Sequence, residues 1–164
     1  MANNVLVEVA ENCVEPSWLS NVEPFVQKVL SFLKLDQWEM SVLFCTDAFI
    51  TQLNKNYRDI DSATDVLSFE AGDEYIDDQN ITWYTAGDIV ISLDTLKVNA
   101  QEFAVTENEE LKRLLIHGIL HLNGYDHTGI IDSDGTQQGS DEMLQLQEKI
   151  LLEFENQLGI KRGQ

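Results

Sequence analysis

Hydrophobic and polar positions along the chain follow two periods, which predict where strands and helices lie. Four segments are compact and apolar, or alternate apolar with polar residues, which is typical of strands. They cover residues 4–10, 38–45, 64–69 and 87–92. Five other segments repeat apolar residues at three- and four-residue spacing, which predicts helices. They cover residues 20–35, 46–57, 93–103, 107–123 and 141–158.

The order of these elements predicts one α+β domain that spans residues 1–164. Strands and helices interleave without a strict βαβ order, so we expect a mixed sheet of about four strands packed with about five helices. A length of 164 residues suits a single domain, and the chain has no repeat or linker-like stretch. The acidic stretch 70–80 is predicted to be a turn region after the third strand.

The helix over 107–123 is predicted to be buried at the centre of the domain. Thr106 and Glu109 form an S/T-x-x-E capping box, which indicates where the helix begins. Beyond its first turn the helix has little polar surface, as expected of a helix that packs on all sides. Gly124 can adopt the left-handed conformation that commonly ends a helix.

All three histidines of the chain lie at the end of this helix or just after it. His117 and His121 are four residues apart, so they project from the same side of the helix. The reversal at Gly124 would allow His127 to fold back toward them. Burying several imidazoles is costly unless a cation organises them, and three protein ligands with an open fourth position are typical of catalytic zinc. We therefore predict one Zn²⁺ per chain, with another divalent metal as an alternative.

A metalloprotease-like hydrolase is the first alternative. The histidine spacing matches the metzincin pattern H-E-x-x-H-x-x-G-x-x-H, but Gly118 stands where that pattern has its glutamate. Without the glutamate, peptide hydrolysis lacks its general base. Met143 could imitate the metzincin Met-turn, but its segment has the pattern of an amphipathic helix, which favours a packing role.

The charge of the chain argues against RNA binding by its whole surface. Ten basic residues face 29 acidic ones, for a net charge of −19, which suits a basic protein partner or metal ions. Any RNA site must therefore be local. The basic residues before and around the histidines could line one groove, and they are Lys28, Lys34, Lys55, Arg58, Lys97, Lys112 and Arg113.

The compartment is predicted from what the chain lacks. No apolar run approaches the roughly 20 residues that span a bilayer, so we expect no membrane association. The N-terminus has no pattern of a secretory signal, which favours the cytoplasm. Cys13 and Cys45 are isolated in the sequence and are expected to remain reduced thiols.

Three segments of the chain resemble the YbeY family of bacterial metal-dependent endoribonucleases. HGILHLNGYDH (117–127) resembles the family signature H-G-x-L-H-L-x-G-Y-D-H, and segments 53–69 and 87–92 are also similar to the family. The resemblance implies a zinc-dependent hydrolase that cleaves single-stranded rRNA, matures the 3′ end of small-subunit rRNA and acts in ribosome quality control. It implies His117, His121 and His127 as metal ligands and Arg58 as a functionally important residue.

The resemblance also implies partners, namely the small ribosomal subunit, reached through a basic ribosomal protein and an assembly GTPase. Arg58 has two interpretations: a catalytic phosphate clamp, which we favour, or a surface ion pair with Asp59 or Asp61. Another alternative is a non-catalytic assembly factor whose structural metal is closed by Asp126 or Cys45.

The chain departs from the YbeY pattern in two places. Glu70 stands where the family usually has proline, which adds negative charge near the cleft. Segment 128–140 is longer than the usual link to the last helix, and it matches a calcium loop only superficially. We predict it to be a flexible flap or an insertion, exposed at the surface.

Overall fold

A four-stranded mixed sheet, in the order β1-β2-β4-β3, lies at the centre of the structure. The structure is a computed structural model, and it describes residues 2–125 and 138–155, with only the backbone of 138–141. The strands are β1 (Asn4–Val9), β2 (Trp38–Cys45), β3 (Val66–Ile76) and β4 (Thr82–Ser92). The first two strands are parallel, β4 is parallel to β2, and β3 is antiparallel to β4 at one edge of the sheet.

Five α-helices pack around this sheet within the described residues. They are α1 (Val22–Phe32), α2 (Asp47–Arg58), α3 (Leu93–Glu102), α4 (Glu107–Leu122) and α5 (Gln138–Glu153). The predicted fold class, an α+β domain with a four-stranded mixed sheet and five helices, is therefore confirmed. In the part of the chain that is described, no helix is both long and apolar enough to cross a membrane.

The two faces of the sheet have separate cores, because successive side chains of a strand point to opposite faces. The larger core packs α1, α4 and α5 against residues such as Val42 and Ile89. A smaller core under α2 includes Cys45, Leu67 and Val90. Helices α4 and α2 therefore lie on opposite faces of the sheet. The prediction that α4 is a buried central helix is confirmed by its fully buried apolar side chains.

Helix α5 is fastened to α4 by a buried lysine. Lys112 is 2% exposed, and its Nζ donates hydrogen bonds to the backbone oxygens of Phe154, at 3.2 Å, and of Glu155. These carbonyls follow the last turn of α5, where a helix has acceptors without intrahelical donors and a cation is favourable. The contact fixes α5 along α4 and so sets which α5 residues reach the histidines.

The prediction of a turn region over 70–80 is wrong. Strand β3 continues to Ile76, and only residues 77–81 form the turn to β4. Cross-strand pairs of large side chains, such as Tyr75 with Trp83, favour pairing. Such pairs outweigh the low strand propensity of the acidic residues and glycine in this stretch. An irregularity in the register between Glu70 and Asp73 interrupts the alternation by which the strand could have been recognised.

The carboxylate of Asp77 organises this turn. It accepts hydrogen bonds from the N–H groups of Ile81 and Gln79, both at 2.9 Å, and from the indole Nε1 of Trp83 at 2.8 Å. The hydrogen bond from Ile81 is the largest of the effects that lower the pKa of Asp77 below its usual range.

We therefore expect Asp77→Ala to lower the melting temperature at neutral pH. Because the pKa of Asp77 is lower in the folded state than in the unfolded chain, its stabilisation is present above the unfolded-state pKa and is lost as the pH falls through the folded-state value. Thermal unfolding followed by circular dichroism at about pH 7 and about pH 2.5 should show a larger difference from wild type at the higher pH than at the lower one. Asp73→Ala, which removes an exposed acid from the part of β3 that precedes this turn, is the control. An equal effect of Asp77→Ala at both pH values would contradict the assignment.

Candidate metal centre at the end of helix α4

The histidine-bearing helix begins and ends as its sequence predicts. The Thr106 hydroxyl accepts a hydrogen bond from the N–H of Glu109 at 3.1 Å. At the other end, Gly124 has a φ of 91°, and its N–H donates to the carbonyl of His121 at 3.1 Å. The N–H of Tyr125 donates to the carbonyl of Leu120 at 3.0 Å, which completes a Schellman motif. His121 therefore lies in the last turn, and the chain reverses directly after it.

Gly118 allows α4 to pack unusually close to the sheet. A Cβ at this position would lie 2.7 Å from Cδ1 of the fully buried Ile89. Isoleucine is branched at Cβ and adjusts poorly inside a packed core. The site between the two histidines therefore has no room for a glutamate side chain, which removes the general base that a metzincin-like protease requires.

The rings of His117 and His121 lie near each other, with centroids 6.5 Å apart and planes inclined at 49°. The Nδ1 atom of His117 is 3.0 Å from Oε1 of Gln147, which is buried on α5. An amide oxygen can only accept a hydrogen bond, so Nδ1 is the donor and Nε2 keeps its lone pair. Metal-ligating histidines are typically held in this way by a second residue.

The environment of His117 favours its neutral form. Burial lowers its pKa below the ordinary value, and the neighbouring His121 and Arg113 lower it further. The hydrogen bond with Gln147 and the charge of Asp65 act in the opposite direction but do not overcome burial. A neutral imidazole is the form that binds a metal ion.

His121 has an acidic neighbour on strand β3. Its Nδ1 is 3.6 Å from Oε1 of Glu70, whose side chain is 55% exposed. Both rings thus have Nδ1 turned toward an oxygen of another element. A histidine held by a protein oxygen at Nδ1 typically binds a metal ion through Nε2. The chemistry of this pair therefore suits a divalent metal ion.

The third predicted ligand, His127, lies outside the described residues, as do Asp126 and most of the segment 128–140. Among the residues that are described, no three His, Cys, Asp or Glu side chains converge on one point. The three-histidine metal site therefore stays a prediction.

Cys45 does not complete the site. It is fully buried under α2, on the opposite face of the sheet from α4. Burial raises the pKa of its thiol to about 12, which disfavours the thiolate that binds metals. The alternative of a structural metal closed by Cys45 is thus wrong.

Both cysteines are free thiols. Met143 is fully buried in the larger core, as its predicted packing role requires.

Arg58 is the last residue of α2 and lies across the edge strand from the histidines. Its neighbour Tyr57 packs edge-on against Phe69 of β3, with ring centroids 5.1 Å apart, and Phe69 precedes Glu70 in the strand. Arg58 is exposed and forms no ion pair with Asp59 or Asp61, so the structure does not favour the surface ion pair.

One residue of the site, Gln147, was not found from sequence, and neither was the contact that Glu70 makes with His121. Gln147 had one signal, since it stands four residues after Met143 and three before Ile150 and therefore on the buried side of α5. A polar residue in such a position requires a polar partner. Glu70 was noted for its charge, but its contact with His121 depends on the pairing of β3 with β4.

The fold and this site define an α+β protein with a histidine-based candidate metal centre at the end of a buried helix. Comparison with known proteins makes the class specific. The model of the family described as endoribonuclease YbeY matches residues 7–155, and the chain belongs to this family.

The relatives cover most of the chain. Endoribonuclease YbeY of Treponema denticola is 58% identical over 135 residues, which are 82% of this chain and 83% of the relative. The corresponding protein of Treponema pallidum is 49% identical over 149 residues, covering 91% and 88%. A solution structure of a protein from Thermotoga maritima covers 98% of this chain and 99% of its own, with a TM-score of 0.57 and 23% identity, and it supports the fold.

The close packing at Gly118 can be tested by enlarging the residue. We expect Gly118→Ala to destabilise the protein by about 1–2 kcal/mol, because overpacking costs about 1–3 kcal/mol and helix propensity returns at most about 1 kcal/mol. Urea unfolding measures the change. Ile89→Val removes the obstructing Cδ1 atom, so Gly118→Ala should cost less in that background than in wild type. A stabilised Gly118→Ala protein would contradict the close approach.

Proposed function

We propose that this chain is a zinc-dependent endoribonuclease that cleaves single-stranded rRNA, matures the 3′ end of small-subunit rRNA and acts in ribosome quality control. The observation that carries the proposal is the histidine pair, in which each Nδ1 faces an oxygen from another element. It occurs in a chain of the endoribonuclease YbeY family. The relatives from Treponema bear the same name, and this chain matches them over most of their length.

His117, His121 and His127 would hold the metal, with the first two using Nε2. Imidazole suits Zn²⁺ and other transition metals better than Mg²⁺ or Ca²⁺, so one Zn²⁺ per chain is proposed, with another divalent transition metal as the alternative. When bound, such an ion supplies Lewis-acid chemistry at a phosphoryl oxygen and lowers the pKa of bound water. Gln147 holds His117 in the tautomer and orientation that ligation requires.

Arg58 is proposed to bind an RNA phosphate and to stabilise negative charge that develops during cleavage. Its exposed side chain is not engaged by Asp59 or Asp61. A guanidinium can bind two phosphate oxygens at once, and it binds them more strongly as negative charge develops on them. Arg58 and the histidines flank the same edge strand, β3, so one RNA strand passing over that edge would meet both.

The acidic surface is proposed to bind protein rather than RNA. The outer part of the β3–β4 hairpin exposes Asp73, Glu74 and Asp78, and the chain has a net charge of −19. Such a surface favours a basic partner. We propose that it docks on the small ribosomal subunit in the cytoplasm, through a basic ribosomal protein and an assembly GTPase, which would deliver the RNA to the site.

The metal assignment predicts the effect of losing one imidazole. The protein as purified is expected to carry about one divalent metal per chain, and His121→Ala should lose most of it, because two nitrogen ligands make a poor site. Elemental analysis of both preparations measures this. Cys13→Ser, which changes a residue outside the candidate centre, should keep full occupancy. Full occupancy in His121→Ala would contradict the three-histidine site.

The role of Arg58 predicts loss of cleavage without loss of metal. Arg58→Ala should slow single-turnover cleavage of a small-subunit 3′ precursor RNA by roughly 30- to 1000-fold, which corresponds to about 2–4 kcal/mol. Arg58→Lys should recover part of the rate, since an ammonium lacks the planar fork. Lys149→Ala, which removes an exposed lysine of α5 that is not among the groove candidates, is the control and should change the rate little.

In the same assay the wild-type protein should cut the RNA in a chelator-sensitive manner and leave casein intact. Wild-type rates in Arg58→Ala would show that Arg58 does not act in catalysis, and loss of metal or of the fold would make it a structural residue. Chelator-sensitive casein hydrolysis by the wild-type protein would favour the protease alternative instead.

A further inference from the structure

The residue that departs from the YbeY pattern, Glu70, lies beside a candidate metal ligand. Its Oε1 is 3.6 Å from Nδ1 of His121. This is slightly longer than a hydrogen bond, and the half-exposed glutamate has room to rotate closer. A proline at this position would have no side-chain acceptor, so the polar contact at His121 depends on the glutamate.

The fold holds Glu70 near the end of α4 through a second close approach. Gly87 pairs with Glu70 across the β3–β4 ladder and has a φ of 140°. A Cβ on Gly87 would lie 2.0 Å from the backbone oxygen of Phe69 and 3.0 Å from Cδ2 of Leu122. The backbone of β3 and the last residue of α4 therefore both lie in close contact with this glycine. Glu70 is thereby placed next to the turn of α4 that carries His121.

We propose that Glu70 is a positioning residue for the candidate metal centre. Its carboxylate, 3.6 Å from Nδ1 of His121 in this structure, would accept the Nδ1–H after a small rotation of the side chain, as the amide oxygen of Gln147 already does for His117 at 3.0 Å. The carboxylate approaches the ring from the Nδ1 side, so it acts through the imidazole, and the metal would be bound through Nε2. A carboxylate in this place fixes the tautomer of the ring and raises the basicity of the ligating nitrogen. The inference rests on the proposed function only in requiring that the histidines bind a divalent cation.

Metal affinity tests this role independently of RNA cleavage. The full chain is stripped of metal, and Zn²⁺ binding is measured by competition with a chromophoric chelator. Outer partners of this kind typically contribute 10- to 100-fold to affinity, and half exposure puts Glu70 at the lower end. We therefore expect Glu70→Ala and Glu70→Pro to bind Zn²⁺ about tenfold more weakly than wild type. Glu70→Gln keeps an acceptor oxygen and should recover part of this loss.

Two controls separate positioning from other roles. Glu74→Ala removes an exposed acid from the same strand, so a tenfold loss there as well would assign the effect to net charge and overturn the proposal. Absorption of the Co²⁺-loaded protein reports the number of ligands. The spectrum of Glu70→Ala should keep the wild-type intensity, whereas a change in coordination number would make Glu70 a ligand and would also overturn the proposal.

The remaining outcomes distinguish this proposal from the function on which it rests. Unchanged Zn²⁺ affinity in Glu70→Ala and Glu70→Gln, with a wild-type protein that binds zinc tightly, would reject only the role of Glu70. Failure of the wild-type protein to bind either Zn²⁺ or Co²⁺ would reject the metal centre and this inference together. Melting curves of the metal-free variants establish that each is folded, and Glu70→Gln, which preserves side-chain size, keeps the test valid if Glu70→Pro disturbs β3.

Discussion

The close contact between helix α4 and strand β4 is the constraint on which the site depends. Gly118 rests against Ile89, and Leu122 rests against Gly87, so two glycines let the helix and the sheet approach along one line. Because α4 is fixed to the sheet at two points, it cannot rotate about its axis. The directions in which its other side chains project are therefore fixed as well. His117 is thereby aimed at Gln147 of α5, and His121 at Glu70 of β3.

The same contact separates this chain from the proteases whose histidine spacing it shares. In those enzymes a glutamate follows the first histidine, whereas here that position is the point where helix and sheet touch. Position 118 therefore cannot provide both the close helix–sheet packing and a catalytic glutamate, and in this chain it provides the packing. The proton acceptor for any hydrolysis must come from elsewhere, which suits a reaction at phosphate, where positioning and charge stabilisation supply much of the rate.

The parts of the structure that follow local rules could be predicted from sequence. The capping box at Thr106, the Schellman glycine Gly124 and the helical spacing of the histidines need only a few neighbouring residues. The extent of β3 could not be predicted, because its acidic residues have low strand propensity and only the pairing with β4 stabilises them as a strand. Gln147 could not be assigned to His117 either, since their contact depends on how Lys112 fastens α5.

The placement of Arg58 shows why residue types alone do not give a site. Arg58 and the histidines are carried by helices on opposite faces of the sheet, and β3, the edge strand, runs between them. If each acts on one RNA from its own face, the RNA backbone bends over the edge of the sheet within a few nucleotides. A single strand can make such a bend, but a stacked duplex resists it because bending a helix costs deformation energy. Selection for single strands would then follow from the position of an edge strand rather than from recognition of bases.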